Sequence, residues 1–172
     1  MNAPTGNPPP AAPAPLLALI ACALAFIWWT GQQLPELVAS HFDGAGVANG
    51  HMPKGPYLTI MLIITAVVPL LTAVLPTLAL RNAAARINVP NRSYWLAPER
   101  RADTVRFLSR QMAVFSGLVI VFLCYVQWLV VRANAIEPPA MSSQAFLVGL
   151  AVFLVCTCSW VLRVVRRFTQ RP

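Results

Sequence analysis

Residues 34–54 read LPELVASHFDGAGVANGHMPK, a polar segment with three glycines between two long apolar runs. Both histidines of the chain, His41 and His51, lie in it, together with Glu36 and Asp43, two of the five acidic residues. Its glycines and prolines favour tight turns, and its apolar residues can pack against helix ends. We therefore expect a compact, folded cap that concentrates the candidate groups for recognition.

The sequence on both sides of this segment is far more apolar than that of a soluble protein. The chain has 172 residues, of which 58% are hydrophobic and 10% charged, whereas soluble domains have about 45–50% apolar and about 25% charged residues. A helix crosses the hydrocarbon core of a bilayer with about 20 residues. Four segments have this length and apolarity: residues 14–31, 57–80, 112–131 and 145–165. We predict an all-α, polytopic membrane protein with four transmembrane helices forming one membrane domain over residues 14–165.

The positive charges predict how these helices are oriented. The net charge is +8. Arginines fill the connection between the second and third spans and the end of the chain, whereas the other two connections hold one basic residue each, Lys54 and Arg132. The first cluster comprises Arg81, Arg86, Arg92, Arg100, Arg101, Arg106 and Arg110, and the second Arg163, Arg166, Arg167 and Arg171. The positive-inside rule then predicts a bacterial inner-membrane protein with both termini cytoplasmic, an ordered extracytoplasmic loop after helix 1 and a basic cytoplasmic loop after helix 2. Charge in these places favours anionic lipid, and we expect no nucleic-acid partner.

The ends of the chain are predicted to be cytoplasmic tails. Residues 1–13 are rich in proline and alanine, which predicts disorder, and they lack the basic start of a secretory signal. Residues 166–172 form a basic tail. The four cysteines lie inside predicted spans, so we interpret them as packing residues and not as a disulfide framework.

The basic connection holds an aromatic segment followed by a helix start. Tyr94 and Trp95 are typical of residues at headgroup depth. Pro98 and Glu99 predict the first turn of a helix that continues into the third span. An interfacial anchor is the simpler interpretation, and a docking site for a partner is the functional one. The docking residues would be Tyr94, Trp95, Glu99, Arg100 and Arg101.

Three uses of the 34–54 segment remain open at this stage. His41 and Asp43 can serve the loop itself by bonding its backbone. They can also bind a ligand, or hold a metal ion together with His51 and Glu36, because imidazole and carboxylate suit zinc. No hydroxyl or thiol lies in a recognisable nucleophile motif, and the spans lack the ionisable groups that pumps use. We therefore expect no enzyme activity and no cofactor.

The spacing within the loop resembles that of a known family. Leu34-Pro35, His41-Phe42-Asp43, Gly46, Asn49-Gly50 and Lys54 fit the pattern L-P-x(5)-H-[FW]-[ND]-x-x-G-x-x-[DN]-G-x(3)-K. This pattern is similar to that of the short domain of unknown function at the start of SdpI-type membrane proteins. The run from Asn88 to Arg100 is similar to a small-protein branch of the same family. The resemblance implies a role in sensing, or giving immunity to, an extracytoplasmic peptide.

These observations lead to three hypotheses. The first is a non-enzymatic membrane protein that recognises a peptide or another envelope ligand through the loop. Its candidate ligand residues are His41, Phe42, Asp43, Gly46, Asn49, Gly50 and Lys54. The second is a structural accessory subunit of a larger membrane complex, in contact with another membrane protein or a second copy through its spans and residues 94–101. The third is a metal-binding envelope protein.

Overall fold

The computed structural model describes residues 14–81 and 89–170. Within these residues the chain forms five helices and two strands. They are α1 (Ala14–Gly31), β1 (Leu37–Phe42), β2 (Ala48–Pro53), α2 (Lys54–Arg81), α3 (Arg92–Trp95), α4 (Pro98–Asn134) and α5 (Ser143–Thr169). The predicted disordered tail at residues 1–13, and Arg86, Asn88 and Arg171, lie outside the described residues.

The four predicted transmembrane helices are confirmed. Helices α1, α2, α4 and α5 are each long and apolar enough to cross a membrane. Three of them extend beyond their apolar windows, because backbone hydrogen bonding continues where hydrophobicity stops. The longest, α4, has 37 residues and starts at Pro98 with Glu99 in its first turn, as its sequence predicts.

The segment between α1 and α2 is a β-hairpin, which the sequence analysis did not predict. Strands β1 and β2 pair antiparallel, with Leu37 opposite Pro53 at the base and Phe42 opposite Ala48 near the tip. The register shifts around His41, so the strands do not alternate regularly. That irregularity, in a segment with three glycines, explains why periodicity alone indicated only a compact cap.

Three helices, α1, α2 and α4, form the core, and α5 packs mainly against α4. One buried cluster joins Ile20 of α1, Ala73 of α2 and Ile120 of α4. A second cluster, near the hairpin, joins Val38 of β1 with Tyr57 of α2 and other buried side chains. In contrast, the only buried residue of α5 is Phe168, in its last turn. The hairpin is thus fixed to the three-helix core, and α5 is a peripheral helix.

Helix α2 continues without a break through two internal prolines, Pro69 and Pro76. Near the first of them, Ser116 of α4 donates a hydrogen bond to the Pro69 carbonyl at 3.0 Å and lies 2.8 Å from the Thr72 hydroxyl. Hydroxyl contacts of this kind join helices in lipid, where packing has no hydrophobic driving force between helices.

The alternating direction of the four long helices creates two distinct ends. We call the end that carries residues 32–53 and 135–142 the hairpin end. We call the opposite end, which carries residues 89–97 and 166–170, the arginine end.

Candidate functional site

The tip of the hairpin is built around one carboxylate. Asp43 Oδ1 accepts hydrogen bonds from the backbone N–H groups of Ala45 and Val47, both at 2.9 Å. The backbone of Asp43 also donates to the Val47 carbonyl and accepts from the Gly46 N–H, again at 2.9 Å each. This is the Asx-type turn that the sequence analysis offered as the structural use of Asp43. The side chain is nevertheless exposed, so its charge faces outward.

Gly46 is required by the fold at this tip. Its φ is +86°, a conformation that side chains disfavour, and a Cβ atom there would overlap the Met141 carbonyl oxygen. This close approach allows the Met141 N–H to donate a hydrogen bond to the Gly46 carbonyl at 2.8 Å. Val47 and Ala140 form an antiparallel bridge alongside. The connection between α4 and α5 therefore packs directly on the hairpin tip.

Asn134, the last residue of α4, holds the middle of β1. Its Oδ1 accepts from Ala39 N–H at 2.8 Å, and its Nδ2 donates to the Ala39 carbonyl at 2.9 Å. Nδ2 also bonds the Val130 carbonyl at 2.9 Å. One amide thus satisfies both backbone groups of Ala39 as a neighbouring strand would.

Lys54 closes the base of the hairpin. Its ammonium donates to the Gln32 carbonyl at 2.9 Å, just beyond the end of α1. Its backbone N–H donates to the Glu36 carbonyl at 2.9 Å. A cation at a helix C-terminus is also favoured by the helix dipole. Lys54 therefore has a structural partner of its own.

A buried polar relay lies beneath the hairpin. Tyr57 Oη donates to Gln127 Oε1 at 2.8 Å, and Gln127 Nε2 donates to Thr30 Oγ1 at 3.3 Å. Thr30 in turn donates to the Phe26 carbonyl at 2.7 Å. The relay ties α1, α2 and α4 together at one level and fixes the platform on which the hairpin sits.

A cavity of about 600 Å³ opens between the hairpin tip and the adjoining ends of α4 and α5. Its polar wall comes from the hairpin and includes Ser40, His41, Asp43 and Asn49. Its apolar wall comes from the helices and the connection between them, and consists of Val126, Val130, Met141, Phe146 and Leu147. Ser143 also lines the cavity, and its hydroxyl donates to the Gly44 carbonyl at 3.0 Å.

The predicted ligand residues divide into two groups. His41, Asp43 and Asn49 reach the cavity as exposed polar side chains, and Phe42 and Gly46 line it too. Gly50 and Lys54 do not line it. A Cβ atom at Gly50 would lie 3.0 Å from the His41 Cβ, so this glycine makes room for the histidine. The Ser40 hydroxyl lies 3.0 Å from His41 Nδ1.

The alternative metal set is not brought together. In the strand pairing His41 lies opposite Gly50, whereas His51 lies opposite Ala39. Among the residues that the structure describes, no group of three or more His, Cys, Asp or Glu side chains is placed to hold a metal ion.

The second predicted cluster, at the arginine end, makes contacts within the chain. Trp95 Nε1 and Asn91 Nδ2 both donate to the Phe168 carbonyl of α5, at 3.3 and 2.9 Å. The Trp95 and Phe168 rings meet edge to face with centroids 5.5 Å apart. The Arg100 guanidinium lies 3.9 Å from the centre of the Tyr94 ring. Trp95 is thus an internal anchor, while Glu99 and Arg100 remain exposed.

Sequence reasoning missed two residues that position the site, Gln127 and Asn134. A signal for them exists, because they are polar, seven residues apart and therefore on one face of α4. Their partners lie far away along the chain, up to 97 residues for Gln127 and Thr30. Nothing in the local sequence indicates which polar groups they would meet.

Comparison with known proteins supports the resemblance to a domain of unknown function and gives no SdpI-type relative. Residues 16–67 match a family described as Domain of unknown function (DUF1648). The matched region covers most of α1, the whole hairpin and the first half of α2. No curated protein and no solved structure matches this chain.

Proposed function

We propose that this chain is a non-enzymatic protein of the bacterial inner membrane that binds a short, cationic, amphipathic peptide in the cavity at its hairpin end. The observation that carries the proposal is the cavity itself. Its volume, about 600 Å³, lies within the roughly 300–1,000 Å³ of typical ligand pockets. The role implied by the family resemblance, in sensing or giving immunity to an extracytoplasmic peptide, is part of this proposal.

The two walls of the cavity fit the two sides of such a ligand. Val126, Phe146 and Leu147 offer apolar surface at the ends of the helices, while Ser40 and Asn49 offer hydrogen-bonding groups on the hairpin. An amphipathic peptide satisfies both walls at once, because its apolar side chains leave water while its polar groups stay solvated.

The charge of the lining favours a cationic ligand. Asp43 contributes an exposed carboxylate, and the described lining contains no lysine or arginine. The carboxylate already holds the turn through Oδ1. It can therefore attract a cation without rearranging the hairpin.

The orientation follows from the arginines. The arginine end carries Arg92, Arg100, Arg106 and the cluster from Arg163 to Arg167, whereas the hairpin end carries only Lys54 and Arg132 among the described lysines and arginines. Under the positive-inside rule, this asymmetry supports a hairpin end outside the cytoplasm and both termini inside.

The geometry around His41 supports binding over catalysis. A serine hydroxyl near an imidazole is half of a nucleophile and base arrangement, and the base also needs a group to orient it. In the described part of the chain no carboxylate hydrogen-bonds to the His41 ring. The Ser40–His41 contact is also exposed, and so is not shielded from water.

The test measures peptide binding to the whole protein in nanodiscs of uncharged lipid. The probes are an alternating leucine–lysine peptide and its leucine–glutamate counterpart. Asp43→Asn keeps an oxygen that can accept the turn hydrogen bonds while it removes the charge. The matched control is Glu36→Gln, which makes the same chemical change at an exposed residue outside the cavity.

We expect the lysine peptide to bind the wild type, and Asp43→Asn to weaken this binding about tenfold, equivalent to about 1.4 kcal/mol. Glu36→Gln should leave it unchanged. Equal binding of the acidic peptide, or equal losses in the two variants, would contradict the proposal.

A second candidate, the accessory subunit, rests on α5. This helix buries only Phe168 and exposes a long apolar face. The face includes Leu147, Val148, Val152, Val155 and Leu162. A partner helix would cover it.

The test is bifunctional thiol cross-linking in native membranes through the exposed Cys156 and Cys158, with the double serine variant as control. A cross-linked species that persists in the serine variant would remove this support.

A further inference from the structure

One face of α5 at the arginine end carries three guanidinium groups around a groove of about 470 Å³. The groove is lined by Ser159, Leu162, Arg163, Arg166, Arg167 and Gln170. These residues recur at intervals of three and four, which places them on one side of a helix. We call this set the arginine face. We propose that the arginine face binds the phosphate headgroup of an anionic phospholipid.

Arg167 is held in place before any ligand arrives. Its guanidinium carbon lies 4.0 Å from the centre of the Phe107 ring and 5.6 Å from that of Trp95. Its Nε atom is buried without a hydrogen-bond partner. A cation stacked on aromatic rings keeps its charge and most of its donors. The side chain therefore has unused donor capacity at a fixed position.

Among the residues that the structure describes, the arginine face has no counter-charge. The ion pair between Arg106 and Asp103, at 3.6 Å, lies within α4 and does not involve these arginines. No carboxylate of the described chain lies within ion-pair distance of Arg163, Arg166 or Arg167. Guanidinium groups bind phosphate through parallel N–H donors. An anion with several oxygens would therefore relieve the repulsion among the three arginines.

The apolar surroundings favour a phospholipid over free phosphate. Leu162 lies within the groove, and the neighbouring Val161 and Val165 are exposed apolar side chains on the same helix. The groove runs from Ser159 to Gln170, which corresponds to about 16 Å along the axis of α5. A lipid can place its phosphate on the arginines and its acyl chain along the apolar side chains above them.

The experiment compares lipid retention by whole-protein variants with equal losses of charge. The protein is purified in mild detergent and titrated with phosphatidylglycerol or phosphatidylcholine, and bound lipid is counted by native mass spectrometry. Arg163→Gln/Arg166→Gln removes two charges from the arginine face and leaves the stacked Arg167 intact. Arg106→Gln/Arg110→Gln removes two charges from α4 outside the groove and serves as the control.

We expect the wild type to retain phosphatidylglycerol in preference to phosphatidylcholine. The α5 double variant should lose about tenfold in phosphatidylglycerol affinity, and the α4 double variant should keep it. Inorganic phosphate at the same concentration should not displace the lipid. Equal losses in both double variants would show unspecific charge attraction, and displacement by phosphate would show a free-anion site. Either result would overturn the proposal.

Discussion

The hairpin end and the arginine end attach their connecting segments to the helices by different kinds of contact. At the hairpin end, Asn134 and Asp43 accept directional hydrogen bonds from backbone N–H groups, and Lys54 donates one to a backbone carbonyl. At the arginine end, the Trp95 ring packs against Phe168 and the Arg167 guanidinium stacks on Phe107. Directional bonds require particular residues at particular positions. Stacked rings tolerate exchange of similar side chains, so the two ends should respond differently to substitution.

The largest expected loss of stability follows from Gly46→Ala at the hairpin tip. The positive φ and the overlap with the Met141 carbonyl should together lower the free energy of unfolding by about 3 kcal/mol. Gly44→Ala is the control, because a Cβ there meets nothing within 4 Å. Unfolding in mixed micelles of increasing dodecyl sulfate measures both. Similar losses in the two variants would mean that the α4–α5 connection does not pack on the tip.

Asn134→Ala should cause the second largest loss of stability and lower the free energy of unfolding by about 2 kcal/mol. The substitution removes three hydrogen bonds and leaves both backbone groups of Ala39 without their partner. Asn49→Ala, which changes an exposed cavity residue, should have little effect in the same unfolding assay. Hydrogen exchange should also show faster exchange of the Ala39 amide in the Asn134 variant. An unchanged exchange rate would argue against the Asn134 contact.

Trp95→Phe should lower the free energy of unfolding by about 1 kcal/mol. The variant loses the Nε1 hydrogen bond to the Phe168 carbonyl and keeps an aromatic ring against it. Trp29→Phe is the matched control, since Trp29 is exposed on α1. A loss as large as that of Asn134→Ala would erase the predicted difference between the two ends.

The smallest loss of stability is expected for a substitution at Tyr57, in the hydrogen-bonded relay beneath the hairpin. Tyr57→Phe removes one buried hydroxyl that bonds Gln127, and interhelical hydrogen bonds in membrane proteins average about 0.6 kcal/mol. A double-mutant cycle with Gln127→Leu measures this coupling directly. Strict additivity of the two substitutions would indicate that the Tyr57–Gln127 bond contributes no stability.

Much of the hairpin end could be foreseen from local sequence. Asp43 followed by glycines predicts an Asx turn, and Gly46 predicts a tight approach, because both are properties of a few consecutive residues. The pairing of β1 with β2 could not be foreseen, since its register shifts at His41. The metal alternative was based on residue types alone, and among the described residues no group of three or more potential ligand side chains is placed to hold a metal ion.

The arginine end shows the same division. Pro98 and Glu99 indicate the start of α4 from sequence alone, and Tyr94 and Trp95 indicate an anchor. That Trp95 would contact Phe168, 73 residues away, depends on how α5 returns beside α4. Likewise, the Arg167 guanidinium of the arginine face is fixed by stacking on Phe107, which belongs to another helix.

The sequence by itself determined the four long helices, the compact cap and the uneven distribution of arginines, because length, hydropathy and charge act over short stretches of chain. Only the tertiary structure decided the strand register, the Asn134 contact and the cavity. The Asn134 contact and the cavity join residues about a hundred positions apart, such as Gly44 and Ser143. Such pairs meet only after the helices pack, and packing depends on shape and on polar groups that must find partners away from water.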